Sequence, residues 1–137
     1  MNTTERPLNI LVVDDEDGFR ELLRWELSSI GMNVQTAASG DEGVARLNER
    51  KFDVVVTDIT MPKMDGLKLL AHVKATSPTT EVIVVTGFSA VETAVYAMRE
   101  GAFDFVLKPY DMNHLMSRVK KAAETFSNCR SCGRSNS

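Results

Sequence analysis

The sequence has few of the features that mark secreted, membrane-bound or nucleic-acid-binding proteins. Its two cysteines, Cys129 and Cys132, lie close to the end of the chain, so the core has no disulfide framework. No apolar run approaches the ~20 residues of a membrane span, and the first residues lack the apolar stretch of a signal peptide. With 16 basic and 19 acidic residues the net charge is −3, which implies no general attraction to nucleic acid. We therefore expect a cytoplasmic domain that contacts neither nucleic acid nor membrane.

What the sequence does contain is enough apolar residues for one core. A chain of 137 residues with 43% apolar content fits a single domain. Four apolar runs are each followed by acidic, hydroxyl or basic side chains, and runs of this kind are typical of parallel strands covered on both faces. The runs and the residues that follow them are 9–13 before Asp14 and Asp15, 53–57 before Asp58, 82–85 before Thr86, and 105–107 before Lys108.

The segments between these runs have helical periodicity. Phe19, Leu22, Leu23, Leu27 and Ile30 recur at helical spacing, Ser39 to Glu42 has the spacing of a capping box, and Gly31 and Gly101 are stop signals. A further short strand is predicted at 33–37. Five strands alternating with five helices predict a doubly wound α/β fold with right-handed crossovers, for which the flavodoxin-like sheet order 2-1-3-4-5 is common at this size.

The domain is expected to span residues 8–126. Residues 1–7 are then a tail. Residues 127–137 are Ser, Asn, Arg, Gly and Cys without periodicity, and they predict a polar linker stub or a disordered tail. Cys129 and Cys132 have half of a zinc pattern without a second pair, so a linker or tail is favoured over a metal site.

The residues after the apolar runs should meet at one edge of the sheet. Ligands bind in the crevice beyond the carboxyl ends of parallel strands, so the carboxylates of Asp14, Asp15 and Asp58 are expected there with Thr86 and Lys108. All of these residues except Asp58 also have an ordinary explanation. Asp14 and Asp15 could cap the following helix, Thr86 could be only a β-branched strand residue, and Lys108 could be a solvated charge.

The chemistry predicted for this crevice is phosphoryl transfer. Three close carboxylates repel one another, and a hard divalent cation such as Mg²⁺ relieves that repulsion while also binding phosphate oxygens. A carboxylate nucleophile at Asp58 would give an aspartyl phosphate. No other reaction is indicated, because His72 and His114 are remote in sequence from the crevice and no glycine-rich nucleotide loop follows the first strand.

Four ordered motifs, at 12–16, 58–66, 84–87 and 101–109, make residues 8–126 resemble the receiver domain of two-component response regulators. The resemblance implies that Asp58 is the phosphoacceptor and that Asp15, Asp58 and the backbone carbonyl of Thr60 bind Mg²⁺ (or Mn²⁺). It further implies that Asp14 holds a metal-bound water. Three more roles follow from it: phosphoryl pairing for Lys108, the switch hydroxyl for Thr86, and the switch aromatic for Phe105.

The stretch 86–95 with 101–104 looks most like receivers of NtrC-type regulators, which precede an ATPase activator of σ54-dependent transcription. This resemblance implies a sensor histidine kinase as partner. It also implies that the face formed by helix 4, strand 5 and helix 5 controls the output, as a surface for a homodimer or another partner. Because Phe105 lacks a hydroxyl, a switch would work through burial of its ring. We also expect Phe88 to shield the acyl phosphate and the Lys108–Pro109 bond to be cis.

Three other classes of protein share parts of this pattern. A haloacid-dehalogenase-like phosphatase uses an aspartyl nucleophile, but it needs a second acid two residues later, where this chain has Thr60. A receiver that no longer accepts phosphate would act only as a binding module, and the intact acidic, threonine and lysine positions disfavour it. A flavodoxin needs a hydroxyl-rich phosphate loop after the first strand, which is absent.

Overall fold

The computed structural model describes residues 7–59, 66–87, 91–108 and 111–135, and they form five strands alternating with five helices. All neighbouring strands are parallel, in the order β2-β1-β3-β4-β5, which confirms the predicted flavodoxin-like doubly wound fold. The strands are β1 Asn9–Val13, β2 Asn33–Ala37, β3 Val54–Asp58, β4 Glu81–Gly87 and β5 Asp104–Lys108. The helices are α1 Asp17–Ser29, α2 Gly40–Glu49, α3 Gly66–Thr76, α4 Val91–Arg99 and α5 Met112–Ser135.

The sheet is covered on both faces, which explains why its strands are apolar on both sides. Alternate strand residues point to opposite faces, and each set joins a separate buried cluster. One cluster contains residues of α1 and α5, namely Leu23, Leu27, Leu115, Val119 and Ala122. The other contains Leu69, Leu70 and Val73 of α3 and Ala97 of α4, with Val44 and Leu47 of α2 packed against it. Apolar side chains on both faces keep the strands in place, and the polar side chains Asp14, Asp58 and Thr86 lie at their carboxyl ends.

The predicted helix boundaries at Ser39, Gly31 and Gly101 are confirmed. The Ser39 hydroxyl accepts a hydrogen bond from the backbone N–H of Glu42 at 3.2 Å, and the Glu42 carboxylate accepts one from the N–H of Ala38 at 2.7 Å. The first bond satisfies an orphan donor at the start of α2, and the second ties the residue before the N-cap to the first turn of the helix. Gly31 and Gly101 have φ values of 94° and 109°, a left-handed conformation that glycine adopts without steric cost.

Two residues of the apolar series at 19–30, which recurs at helical spacing, are exposed. The exposed fractions of Leu22 and Ile30 are 49% and 44%. Leu23 and Leu27, four residues apart, form the buried stripe of α1, and at 3.6 residues per turn the side chain of Leu22 is rotated about 100° away from Leu23. Ile30 lies beyond the last turn of the helix, at its C-cap.

Helix α5 continues to Ser135, through the segment where the sequence predicts a polar linker stub or a disordered tail. Residues 127–135 contain no proline, and once a helix has formed, each added residue requires only propagation rather than nucleation. The described part of this segment, residues 127–135, is therefore helical. Within the described parts of the chain, no helix is both long and apolar enough to cross a membrane.

Candidate metal and phosphate site

Three carboxylates converge at the carboxyl edge of the sheet. One oxygen atom from each of Asp14, Asp15 and Asp58 lies within 4.8 Å of the others. Asp14 follows β1 and Asp58 ends β3, and these strands are neighbours whose register pairs Val13 with Thr57. The pairing therefore brings the next two residues, Asp14 and Asp58, to the same level. Both are buried, whereas Asp15 is exposed. The predicted convergence of these acids is observed in the structure.

The turn between β1 and α1 is fixed by the main chain and by Asp14. The N–H of Asp14 donates to the carbonyl of Ala37 at 3.1 Å, which continues the pairing with β2. Its carboxylate accepts a hydrogen bond from the N–H of Glu16 at 2.8 Å. The N-cap residue of α1 is Glu16, without a side-chain cap bond. Asp14 is therefore not the N-cap residue of α1, and its side chain instead stabilises the turn that precedes the helix.

Thr86 lies on the neighbouring strand, one residue beyond the partner of Asp58. The register of β3 and β4 pairs Asp58 with Val85, so Thr86 follows at the same edge. Its side chain is fully buried, and its hydroxyl has no hydrogen-bond partner among the described residues. A buried polar group without a partner is unfavourable by about 1–3 kcal/mol. A hydroxyl of this kind, at the sheet edge that also carries Asp58, is suited to donating a hydrogen bond to an acceptor-rich group.

The remaining predicted residues lie partly outside the described part of the chain. Lys108 ends β5, where its backbone pairs with Gly87 of β4 and so reaches the same edge. The side chain of Lys108 lies outside the described part of the chain. The same is true of Thr60, Phe88 and the Lys108–Pro109 bond. Phe105 lies on β5 opposite Val84, partly buried against the cluster of α2, α3 and α4.

Two residues that the sequence did not single out also build this site. A Cβ atom at Gly66 would lie 2.6 Å from the carbonyl oxygen of Asp58 and 2.7 Å from the Cα of Ile59, so the start of α3 packs directly on the end of β3. Arg20 donates from Nη1 to the carbonyl oxygen of Asp14 at 2.7 Å. The only signals in the sequence were a glycine after Asp65 and a basic residue one turn into an acidic helix start.

The donors of this cluster fit a hard divalent cation. Mg²⁺ and Mn²⁺ prefer oxygen ligands, and Mg²⁺ binds through one or two carboxylates together with phosphate oxygens. Three carboxylate oxygens within 4.8 Å of one another supply such ligands, and a cation between them would remove their mutual repulsion. Two of the acids are held by strand ends, which limits how far they can separate. The acids therefore fit the metal that the sequence resemblance implies.

The fold and the site together define a class of protein: a doubly wound α/β domain with an acidic pocket at the carboxyl ends of β1 and β3. The sequence profile described as "Response regulator receiver domain" matches residues 10–120. The chain belongs to the response regulator receiver domain family.

Similar proteins agree with this assignment. The chain is 40% identical over 115 residues to the transcriptional regulatory protein ZraR of Salmonella typhimurium, which covers 84% of this chain and 26% of that protein. It is 38% identical over 117 residues to the DNA-binding transcriptional regulator NtrC of the same species, covering 85% of this chain and 25% of NtrC. The crystal structure of NtrX from Brucella abortus superposes with a TM-score of 0.87 at 36% identity, over 93% of this chain and 29% of that one. The predicted likeness to NtrC-type regulators is confirmed, and the chain spans about a quarter of the length of these curated relatives.

Proposed function

We propose that this domain accepts a phosphoryl group on Asp58 from a sensor histidine kinase and thereby switches a downstream output, which we expect to be transcription, in the cytoplasm. The observation that carries the proposal is the convergence of Asp14, Asp15 and Asp58 within 4.8 Å, at the sheet edge where the buried Thr86 also lies. Similarity to regulators named as transcriptional supports the expected output.

Each residue of the site has a defined role in this proposal. Asp15, Asp58 and the carbonyl of Thr60 would hold Mg²⁺, with Asp14 orienting a bound water. The cation would neutralise the carboxylates and the oxygens of an incoming phosphoryl group. Lys108 would pair with the phosphoryl oxygens as a point charge, and the Thr86 hydroxyl would donate a hydrogen bond to one of them.

The proposed transfer requires only Asp58 and the phosphohistidine of the kinase as reactants. A carboxylate oxygen of Asp58 attacks phosphorus, and the new P–O bond forms as the P–N bond of the donor phosphohistidine breaks. The leaving imidazole nitrogen keeps the electron pair of that bond. The product is an acyl phosphate on Asp58, and its hydrolysis by water later releases inorganic phosphate and returns the carboxylate. The domain would thus catalyse only its own phosphorylation and dephosphorylation.

Phosphorylation of the intact chain should require a divalent cation, because an anionic donor cannot otherwise approach three carboxylates. Incubation with acetyl phosphate and Mg²⁺ should add the mass of one phosphoryl group, and excess chelator should suppress the addition. Intact-protein mass spectrometry measures both. Equal labelling with and without chelator would contradict the proposal, and sustained turnover of small phosphomonoesters would instead favour the phosphatase.

The output face that we propose is formed by α4, β5 and α5. On α4, Val95 and Tyr96 are exposed by 44% and 52%, an apolar surface that suits a partner or a second copy of the domain. The Arg118 Nε lies 2.5 Å from the Asp104 carboxylate, and this ion pair joins α5 to β5. Phosphate on Asp58 would draw Thr86 inward and let the ring of Phe105 become fully buried, which would shift α4 and β5.

A phosphoryl mimic should therefore change this face. With beryllofluoride and Mg²⁺ we expect amide exchange to change in 91–108 and the start of α5, and sedimentation to reveal any self-association. Amides of β1 should keep their protection, which makes them the internal control. Changes confined to α1 and α2 would place the output face elsewhere.

A further inference from the structure

Arg20 connects the first helix to the turn that carries two of the three acids. From the second turn of α1 its guanidinium reaches back to two acceptors. Nη1 donates to the carbonyl oxygen of Asp14 at 2.7 Å, and Nη2 is paired with the carboxylate of Asp17. The side chain of Arg20 is 14% exposed, although that of Asp17 is 86% exposed. A surface ion pair alone would not require burial of the arginine, so the contact with the main chain is the notable part of this arrangement.

The backbone from Asp14 to Glu16 cannot continue in the conformation of a strand. Adjacent strand residues point to opposite faces, yet Asp14 and Asp15 both present an oxygen to the same cluster. This is possible only if the backbone leaves the strand direction at Asp14. Its N–H is held by Ala37 on one side, and its carbonyl is held by Arg20 on the other. The peptide planes on both sides of Asp14 are therefore held in place, and with them the backbone that carries both carboxylates.

A guanidinium is suited to this task in a way that an ammonium is not. Its planar fork addresses two acceptors at once, whereas lysine is a point charge on a flexible stem. The described contacts of Arg20 place its charge against Asp17 and the main chain. An arginine whose charge is engaged in this way can order the acids while a cation still binds between them.

We propose that Arg20 is a positioning residue of the metal site: by holding the carbonyl of Asp14 it fixes the turn that aims Asp14 and Asp15, and thereby sets the affinity for Mg²⁺. The inference rests on the proposed function, because it assumes that the acid cluster binds Mg²⁺. Changes to groups that orient metal ligands typically reduce affinity by 10–100-fold.

Two variants separate positioning from charge. Arg20→Lys keeps the charge but loses the fork, and calorimetric titration with MgCl₂ should show affinity about 10-fold lower than in the parent. Arg20→Gln removes a positive charge near the site, which by electrostatics alone would tighten cation binding. If Arg20 positions the metal ligands, its loss should weaken binding instead, so Arg20→Gln should also bind Mg²⁺ more weakly than the parent. The matched controls are Arg24→Lys and Arg24→Gln, since Arg24 pairs only with Glu21 among the described residues and both side chains are about half exposed.

A second measurement works without metal. The N–H of Glu16 donates to the Asp14 carboxylate across the same turn, so in Mg²⁺-free protein its amide should exchange faster in Arg20→Lys than in the parent or in Arg24→Lys. NMR exchange rates also show whether each variant is folded, from the protection of β1 and β3.

Three results would overturn the inference: unchanged Mg²⁺ affinity in Arg20→Lys, tighter binding in Arg20→Gln, or an equal loss in the Arg24 variants. A parent that binds no Mg²⁺ would instead refute the proposed function, and the exchange of Glu16 would then decide whether Arg20 orders the turn.

Discussion

Replacing Asp58 with asparagine should abolish acetyl-phosphate labelling completely. The amide is nearly the same size as the carboxylate, but it lacks the nucleophilic oxygen needed to form an acyl phosphate. Asp58 is the buried acid of the cluster that ends a strand of the sheet interior, so no neighbouring group can take its place without moving the strand. Intact-protein mass spectrometry in the presence of Mg²⁺ measures the loss.

The matched control is Asp41→Asn, which changes an exposed acid in the first turn of α2 and should be labelled like the parent. Asp58→Asn should also remain folded, because it removes one of three repelling charges. Its thermal midpoint without Mg²⁺ is expected to equal or exceed that of the parent. Full labelling of Asp58→Asn would show that the phosphoacceptor is another residue.

Gly66→Ala should strongly destabilise the domain. The added methyl group would lie 2.6 Å from the carbonyl oxygen of Asp58, 2.7 Å from the Cα of Ile59 and 2.8 Å from its Cγ2. Backbone atoms cannot yield as the end of a flexible side chain can, so α3 or the end of β3 must shift. Overpacking of this kind typically costs about 1–3 kcal/mol, and we expect the upper part of that range by urea denaturation. Because the strand end carries Asp58, Mg²⁺ affinity should fall as well.

Two glycines serve as controls for this substitution. A Cβ at Gly18 or at Gly87 would meet nothing within 4 Å. Gly18 is the second residue of α1, and alanine is favoured over glycine in the middle of a helix by roughly 0.5–1 kcal/mol, so Gly18→Ala should stabilise the domain by no more than that. Gly87→Ala, at the same edge of the sheet as Asp58, should be close to neutral. If Gly66→Ala behaved like these two, the close approach of α3 to β3 would have no energetic consequence.

The fold could be predicted largely from the sequence because its signals are local. Strands buried on both faces are mostly apolar, and so are the runs before Asp14, Asp58 and Thr86, with Asp53 and Thr57 as buried polar exceptions. The acid cluster followed from the same signals, since the ends of parallel strands lie at one edge. The exposure of Leu22 could not be predicted, because periodicity gives the apolar arc of a helix but not the direction in which that arc meets the sheet.

The contacts that support the site could not be predicted from local pattern. Gly66 is required because the first residue of α3 touches the end of β3, and that contact depends on how the helix packs. Arg20 acts through a bond to a backbone carbonyl, which no residue type in the sequence identifies. The extension of α5 to Ser135 has a similar origin, since a helix already formed on the sheet can propagate through residues that would not begin one.

The position of Asp58 within the sheet also has a mechanical consequence. Strand β3 is central, with β1 on one side and β4 on the other, whereas β5 is bonded only to β4. A group added at the end of β3 is thus attached to a strand that is hydrogen-bonded on both sides, and we expect any displacement that it causes to occur farther out in the sheet. On the side of Thr86, the outer strand is β5, and the helix that contacts it is α4. A change at the central strand β3 is thus expected to move the outer strand β5 and α4.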